Sequence, residues 1–214
     1  MKTLAIICAM TFIVTVLYAN DDNAYKKAMK EAFENMEHAQ TIDDFREVAN
    51  RFERIAEVDK DKWQPLYHAA YARVIMAAME QDPGKKDPHL DQARGYLDKM
   101  EEMEYDTVEK LVLEGFLLMI RMSVDPSRGM ELGPDCGMIL SQAYAMDSLN
   151  PRAVLMMAQF NFGSSSYMGM DTSGPCAMFD DSIELFDQEN PDETDPFLPC
   201  WGKEMATMMK AQCE

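Results

Sequence analysis

Histidine occurs only three times in this chain, at His38, His68 and His89, and never in the HExxH or His-x3-His spacing that sets two imidazoles on one helix face for a metal. No CxxC is present, so a zinc ribbon or a thioredoxin-type redox centre is unsupported. No Dx[DN]xDG calcium loop occurs. The serines at 164–166 lack the glycine-flanked elbow that presents a hydrolase nucleophile. Basic residues are also few: 20 Lys and Arg stand against 38 Asp and Glu, for a formal net charge of −18. The nearest thing to a basic footprint, Gly84-Lys85-Lys86, is too short to neutralise a phosphate backbone, so nucleic acid is not expected as a partner. The acidic balance disfavours anionic membranes and favours solubility. These absences leave no reading as an active site, and no catalytic, cofactor-binding or metal-binding residue is assigned.

What is present begins with an export signal. Lys2 precedes an uncharged apolar run from Leu4 to Val16, and Leu17-Tyr18-Ala19 offers a small-residue cleavage site. The run is shorter than the roughly 20 residues of a membrane span, and charged and polar residues begin at Asp21. Residues 1–19 are therefore expected to be a signal peptide. The mature protein would be periplasmic or secreted, with no stable membrane insertion. Loss of one Lys and no acid takes the net charge from −18 to −19.

From residue 20 onward the apolar residues recur at three- and four-residue spacing, with no convincing strand. Tyr25, Ala28, Met29, Ala32, Phe33 and Met36 form the first such face. Thr41, with Asp44 three residues on, caps the second helix. Pro65, Pro134, Pro151 and Pro175 suit helix first turns, where a missing N–H costs nothing. The stretches 81–88, 125–133 and 163–174 read as loops from their Gly, Pro, Ser and Asp content. Helix pairs recur about every 40 residues, at 21–58, 63–102, 106–147 and 151–187, and a last helix spans 201–213. The expected fold is one all-α domain, residues 20–214: a right-handed stack of four antiparallel hairpins with a C-terminal capping helix. The fifth helix, apolar around much of its circumference, should lie in the middle.

Small residues meet large ones where such hairpins cross. Ala93-x3-Leu97, Cys136-x3-Leu140-x2-Ala143 and Val154-x2-Met157-Ala158 fit that pattern in part. With Leu113-Glu114-Gly115-Phe116, Ala143-Tyr144-Ala145-Met146-Asp147, Asn150-Pro151-Arg152-Ala153, Phe162-Gly163 and Trp201-Gly202-Lys203-Glu204, the second half of the chain resembles exported tetratricopeptide-repeat proteins of Bacteroidetes bacteria. That resemblance implies a helical-repeat scaffold in an exported protein and no defined activity.

Stacked hairpins create a concave face, so the functional expectation is a non-enzymatic scaffold that binds a protein or peptide. Candidate contacts on that face are Tyr67, Tyr71, Asn161 and Arg152. Two alternatives stand beside it. One is a small enzyme or accessory. The other is a metal-handling protein using the 21 methionines, with Met168-Gly169-Met170 the sharpest copper(I) candidate. Core filling at helical spacing is the simpler reading of most methionines.

Four cysteines follow the signal. Cys200 and Cys213 flank one helix and should lie about 20 Å apart, beyond the roughly 7 Å that a disulfide tolerates. Cys136 and Cys176 each begin the second helix of a pair, and Cys213 should return to the same end of the stack. One bond drawn from Cys136, Cys176 and Cys213 is expected, Cys176–Cys213 first among the pairings, with Cys200 free.

Overall fold

The computed structural model describes residues 22–189 and 195–213. Residues 1–21, where the signal peptide is expected, lie outside them. The described residues are all-helical, with no strand. The helices are α1 (22–38), α2 (Ile42–Val58), α3 (Gln64–Met79), α4 (Pro83–Met100), α5 (Thr107–Met122), α6 (Arg128–Met146), α7 (Pro151–Met168), α8 (Ser173–Gln188) and α9 (Lys203–Lys210). A 3-10 turn, Ala211–Cys213, closes the described chain. No helix among the described residues is long and apolar enough to cross a membrane.

Local chemistry sets most boundaries. Thr41 and Asp44 form a reciprocal capping box at the start of α2. Asp106 caps α5 through the Glu109 amide, and Asn150 caps α7 through the amides of Arg152 and Ala153 ahead of Pro151. Neighbours in sequence pack against one another, and α5 also touches α3 and α7. This central place explains why α5 buries Val112 to Leu118 without a break.

Three predicted loops are shorter than expected, because their residues enter helices. Asp82-Pro83 is an N-cap followed by a first-turn proline, so α4 starts within 81–88. The α6 helix begins at Arg128, six residues before Pro134, which it accommodates internally. The α7 helix runs through Gly163 and Ser164–Ser166 and stops at Gly169, whose φ of 65° is the left-handed cap geometry that glycine adopts without strain. Gly and Ser only weaken a helix that tertiary packing already holds.

The crossing of α5 and α6 shows why small residues were needed. A Cβ on Gly115 would sit 2.2 Å from Leu140 Cδ2 and 2.6 Å from its Cγ, and Leu140 is fully buried. Beside it the Cys136 thiol is buried and lies 3.5 Å from the Gly115 carbonyl oxygen. Gly115→Ala is expected to destabilise by about 1–3 kcal/mol, because overpacking exceeds the helix-propensity gain. Urea denaturation should show the loss, and a Leu140→Ala background should remove it.

Cys176 and Cys213 are bonded, with an S–S distance of 2.00 Å, joining the first turn of α8 to the end of the chain. Cys136 is free and buried, and Cys200 is free and exposed.

Candidate functional site

A groove of about 750 Å³ is assembled from three separated parts of the chain. Helix α1 supplies Asp22, Tyr25, Lys26, Lys30 and Phe33. The entry to α3 supplies Lys62 and Gln64. The segment before α9 supplies Asp195, Pro196 and Phe197. Its size falls within the usual range for small-molecule pockets, roughly 300–1,000 Å³.

The floor is aromatic. The Tyr25 and Phe197 rings meet edge to face at 5.7 Å, and Phe33 lies 6.0 Å from Phe197 and 4.6 Å from the His68 ring. The placement follows from sequence: Tyr25 and Phe33 are eight residues apart on α1, hence near one another along the same face. Phe197 is anchored from below, where its carbonyl oxygen lies 2.9 Å from His68 Nε2. Gln64 Nε2 donates to Asp195 Oδ2 at 2.7 Å and fixes the same segment from the side.

The rim is basic in an otherwise acidic protein. Lys26 pairs with Asp22 at 2.7 Å, whereas among the described residues neither Lys30 nor Lys62 has a carboxylate within 4 Å. The Lys62 ammonium lies 5.7 Å from the centre of the Tyr25 ring. Two buried polar atoms at the groove, the Tyr25 hydroxyl and Gln64 Oε1, lack a hydrogen-bond partner among the described residues. Burial, reinforced by the charges of Asp195, Asp59, Asp22 and Asp61, pushes the Tyr25 phenol well above its ordinary range, so it stays a neutral donor. The groove can therefore accept a flat apolar body and meet anionic groups at its edge. It offers no nucleophile paired with a base.

His68 beneath this floor is almost wholly buried, its Nδ1 has no partner, and burial pushes its pKa down to about 4. The unfolded chain then binds a proton that the folded chain does not between pH 6.5 and about 4. Stability should fall by about 3 kcal/mol as pH drops through that window. Denaturation midpoints across pH 7 to 4, compared with a His68→Gln variant that has no imidazole to protonate, check the slope.

Of the four residues expected on a concave face, two are in the core and two are partly exposed. Tyr67 is fully buried and Arg152 is 5 % exposed, so neither is presented to a partner. Tyr71 is stacked on Trp201, with ring centroids 5.0 Å apart, and Asn161 is half-buried on α7. Tyr67 and Arg152 are buried because they satisfy one buried carboxylate. Arg152 Nε lies 2.9 Å from Glu109 Oε1, and its Nη2 lies 2.7 Å from Glu189 Oε1. Asn150 Nδ2 donates to Glu109 Oε1 at 2.7 Å, Tyr67 Oη donates to Glu109 Oε2 at 3.2 Å, and Trp201 Nε1 donates to Tyr67 Oη at 3.0 Å. Met168 and Met170 are exposed at the end of α7, and no group of three His, Cys, Asp or Glu suited to a metal occurs among the described residues.

The groove itself escaped the sequence. Its three lysines carry no signal one by one, and only the fold brings 195–197 onto α1. A usable signal existed in Tyr25, Lys26, Lys30 and Phe33, which set lysines between two aromatic residues along one helix of an acidic chain.

No protein-family model matches the chain, and no curated protein matches it in sequence. Among solved structures, the HusA haemophore from Porphyromonas gingivalis has the same all-helical fold, with a TM-score of 0.78 at 23% identity over 89% of this chain and 92% of that one.

Proposed function

We propose that this is an exported, non-catalytic helical binding protein whose α1–α3 groove takes a planar, largely apolar small molecule bearing carboxylates, with haem the first ligand to test. The observation that carries the reading is the groove's composition: an aromatic floor of Tyr25, Phe33 and Phe197 beneath Lys30 and Lys62, cations with no carboxylate within 4 Å among the described residues. The ring of a tetrapyrrole would cover the floor, and its propionates would meet the lysines. The hydrophobic area removed from water supplies most of the affinity, and the charges orient the ligand. The shared fold with a haemophore supports the choice of ligand. The helix pairs are proposed to stack in the tetratricopeptide manner, as a rigid frame that holds α1 against the 195–197 segment.

Absorbance titration of the mature protein with haem tests the proposal. Saturable one-to-one binding is expected, weakened at least tenfold in a Lys30→Glu/Lys62→Glu variant, a loss of about 1.4 kcal/mol or more. Equal affinity in the two proteins would contradict the role given to the lysines.

A second reading, binding of a protein or peptide, rests on a different observation. Met130 on α6 and Tyr167, Met168 and Met170 at the far end of α7 are exposed large apolar residues, and flexible thioethers adapt to varied partners. Cross-linking that reaches this end of α6 and α7 and spares α1 would favour that reading over the groove.

A further inference from the structure

Most of the arginines in this acidic protein find a carboxylate. Arg46, Arg94, Arg121, Arg128 and Arg152 each lie within 4 Å of an Asp or Glu. Among the described residues Arg73 on α3 does not, although it is 8 % exposed and second only to Arg152 in burial among the arginines. Its Nη2 donates to Asn50 Oδ1 at 3.0 Å and its Nη1 faces the Met76 sulfur at 3.9 Å. Its Nε is buried with no partner. A guanidinium carries five N–H donors, and an uncompensated buried cation is costly.

Arg73 lines a second cavity, of about 250 Å³, with Glu53 of α2 and Gln92, Gly95, Tyr96 and Lys99 of α4. Gly95 leaves the space above its backbone empty: a Cβ there would meet nothing within 4 Å. Lys99 brings a second cation, its ammonium 5.5 Å from the Tyr96 ring centre and, among the described residues, with no carboxylate within 4 Å. Glu53 shares the cavity without reaching either cation at that distance; it and Arg73 both act on the Tyr96 hydroxyl, by charge and by side-chain hydrogen bonding. The lining thus carries two cations against one acid, at a place where the chain had acids to spare.

We infer that the α2–α4 cavity is a binding site for a compact oxyanion, a carboxylate or phosphate group, held by the Arg73 guanidinium and the Lys99 ammonium with Gln92 as a neutral donor. Side-on approach to a guanidinium supplies two parallel N–H donors, the arrangement that carboxylate and phosphate oxygens match. The site is separate from the aromatic groove and stands or falls apart from it.

Proton–nitrogen correlation spectra of the intact mature protein, titrated with acetate, inorganic phosphate or chloride at constant ionic strength, test the inference. Saturable shifts of the Arg73 Nε–H and Gly95 amide resonances are expected with acetate or phosphate and not with chloride. The arm that saturates at lower concentration identifies the oxyanion. Arg73→Gln should weaken binding at least tenfold. Lys99→Gln, on an exposed side chain that the fold does not need, should weaken it several-fold and keeps the test valid if Arg73→Gln fails to fold. Shifts that stay linear and equal for all three anions, or saturation unchanged in Lys99→Gln, would overturn the assignment.

Discussion

Arg152→Ala is expected to lower the unfolding free energy by about 3–5 kcal/mol, among the largest effects of any single substitution in this protein. The magnitude follows from what is left behind. Glu109 is 3 % exposed, and without Arg152 its carboxylate keeps only Asn150 and Tyr67 as partners. Burial already raises the Glu109 carboxyl above its usual range, with Arg152 and Asn150 pulling it back. Removing the guanidinium leaves the carboxylate in the core and deletes the stronger of the two influences that oppose its burial. The damage should not stay local. Arg152 opens α7, Glu109 opens α5, Tyr67 belongs to α3, and Trp201 closes the chain from the C-terminal side, so one ion pair ties four regions. Urea denaturation measures the loss, and a double-mutant cycle with Glu109→Gln isolates the coupling. If the two losses add to within about 0.5 kcal/mol, the carboxylate and the guanidinium do not act as a unit.

Cys213→Ser is expected to cost about 4 kcal/mol under oxidising conditions. The bond to Cys176 closes a sequence separation of 37 residues, and releasing it returns the entropy of that loop to the unfolded chain. A second contribution is structural. Helix α9 spans only eight residues, too short to persist unaided in water. It is held by Ala206, Met205 and Met209 packed on the core, by Trp201 stacked on Tyr71 and Phe116, and by the disulfide at its far end. Loss of the bond should therefore expose α9 to protease before the rest of the domain. Unfolding midpoints with and without reductant give the free energy, and limited proteolysis gives the order of release. Cys200→Ser, which removes a free thiol, should leave both unchanged.

The sequence made the helices legible wherever an apolar stripe and a capping signal coincided. Thr41 and Asp44, Asn150-Pro151 and the central α5 emerge as read. The disulfide was legible for a related reason: helix length separates Cys200 from Cys213, and antiparallel packing returns Cys213 to Cys176. Where composition spoke against periodicity, composition misled. Gly163 and three serines look like a loop, yet the preceding turns of α7 carry the helix to Gly169.

The sites were hidden for another reason. Arg152 follows a turn and carries a charge, both marks of exposure, and nothing local announces that Glu109, 43 positions earlier, waits for it in the core. Tyr25 and Phe33 look like ordinary core residues until Phe197 is laid beside them. Pairings across more than a hundred residues, such as His68 with Phe197, have no spacing that a single sequence can display.

The central claim is that the groove between α1, the start of α3 and the 195–197 segment holds the ligand. Mapping the haem-bound protein by proton–nitrogen correlation spectra tests it most directly. Shifts and broadening are expected to centre on Tyr25, Phe33, Lys62 and Phe197 and to fade toward α6 and the C-terminal end of α7. Perturbations concentrated there, around Met130, Tyr167 and Met170, with α1 undisturbed, would contradict it.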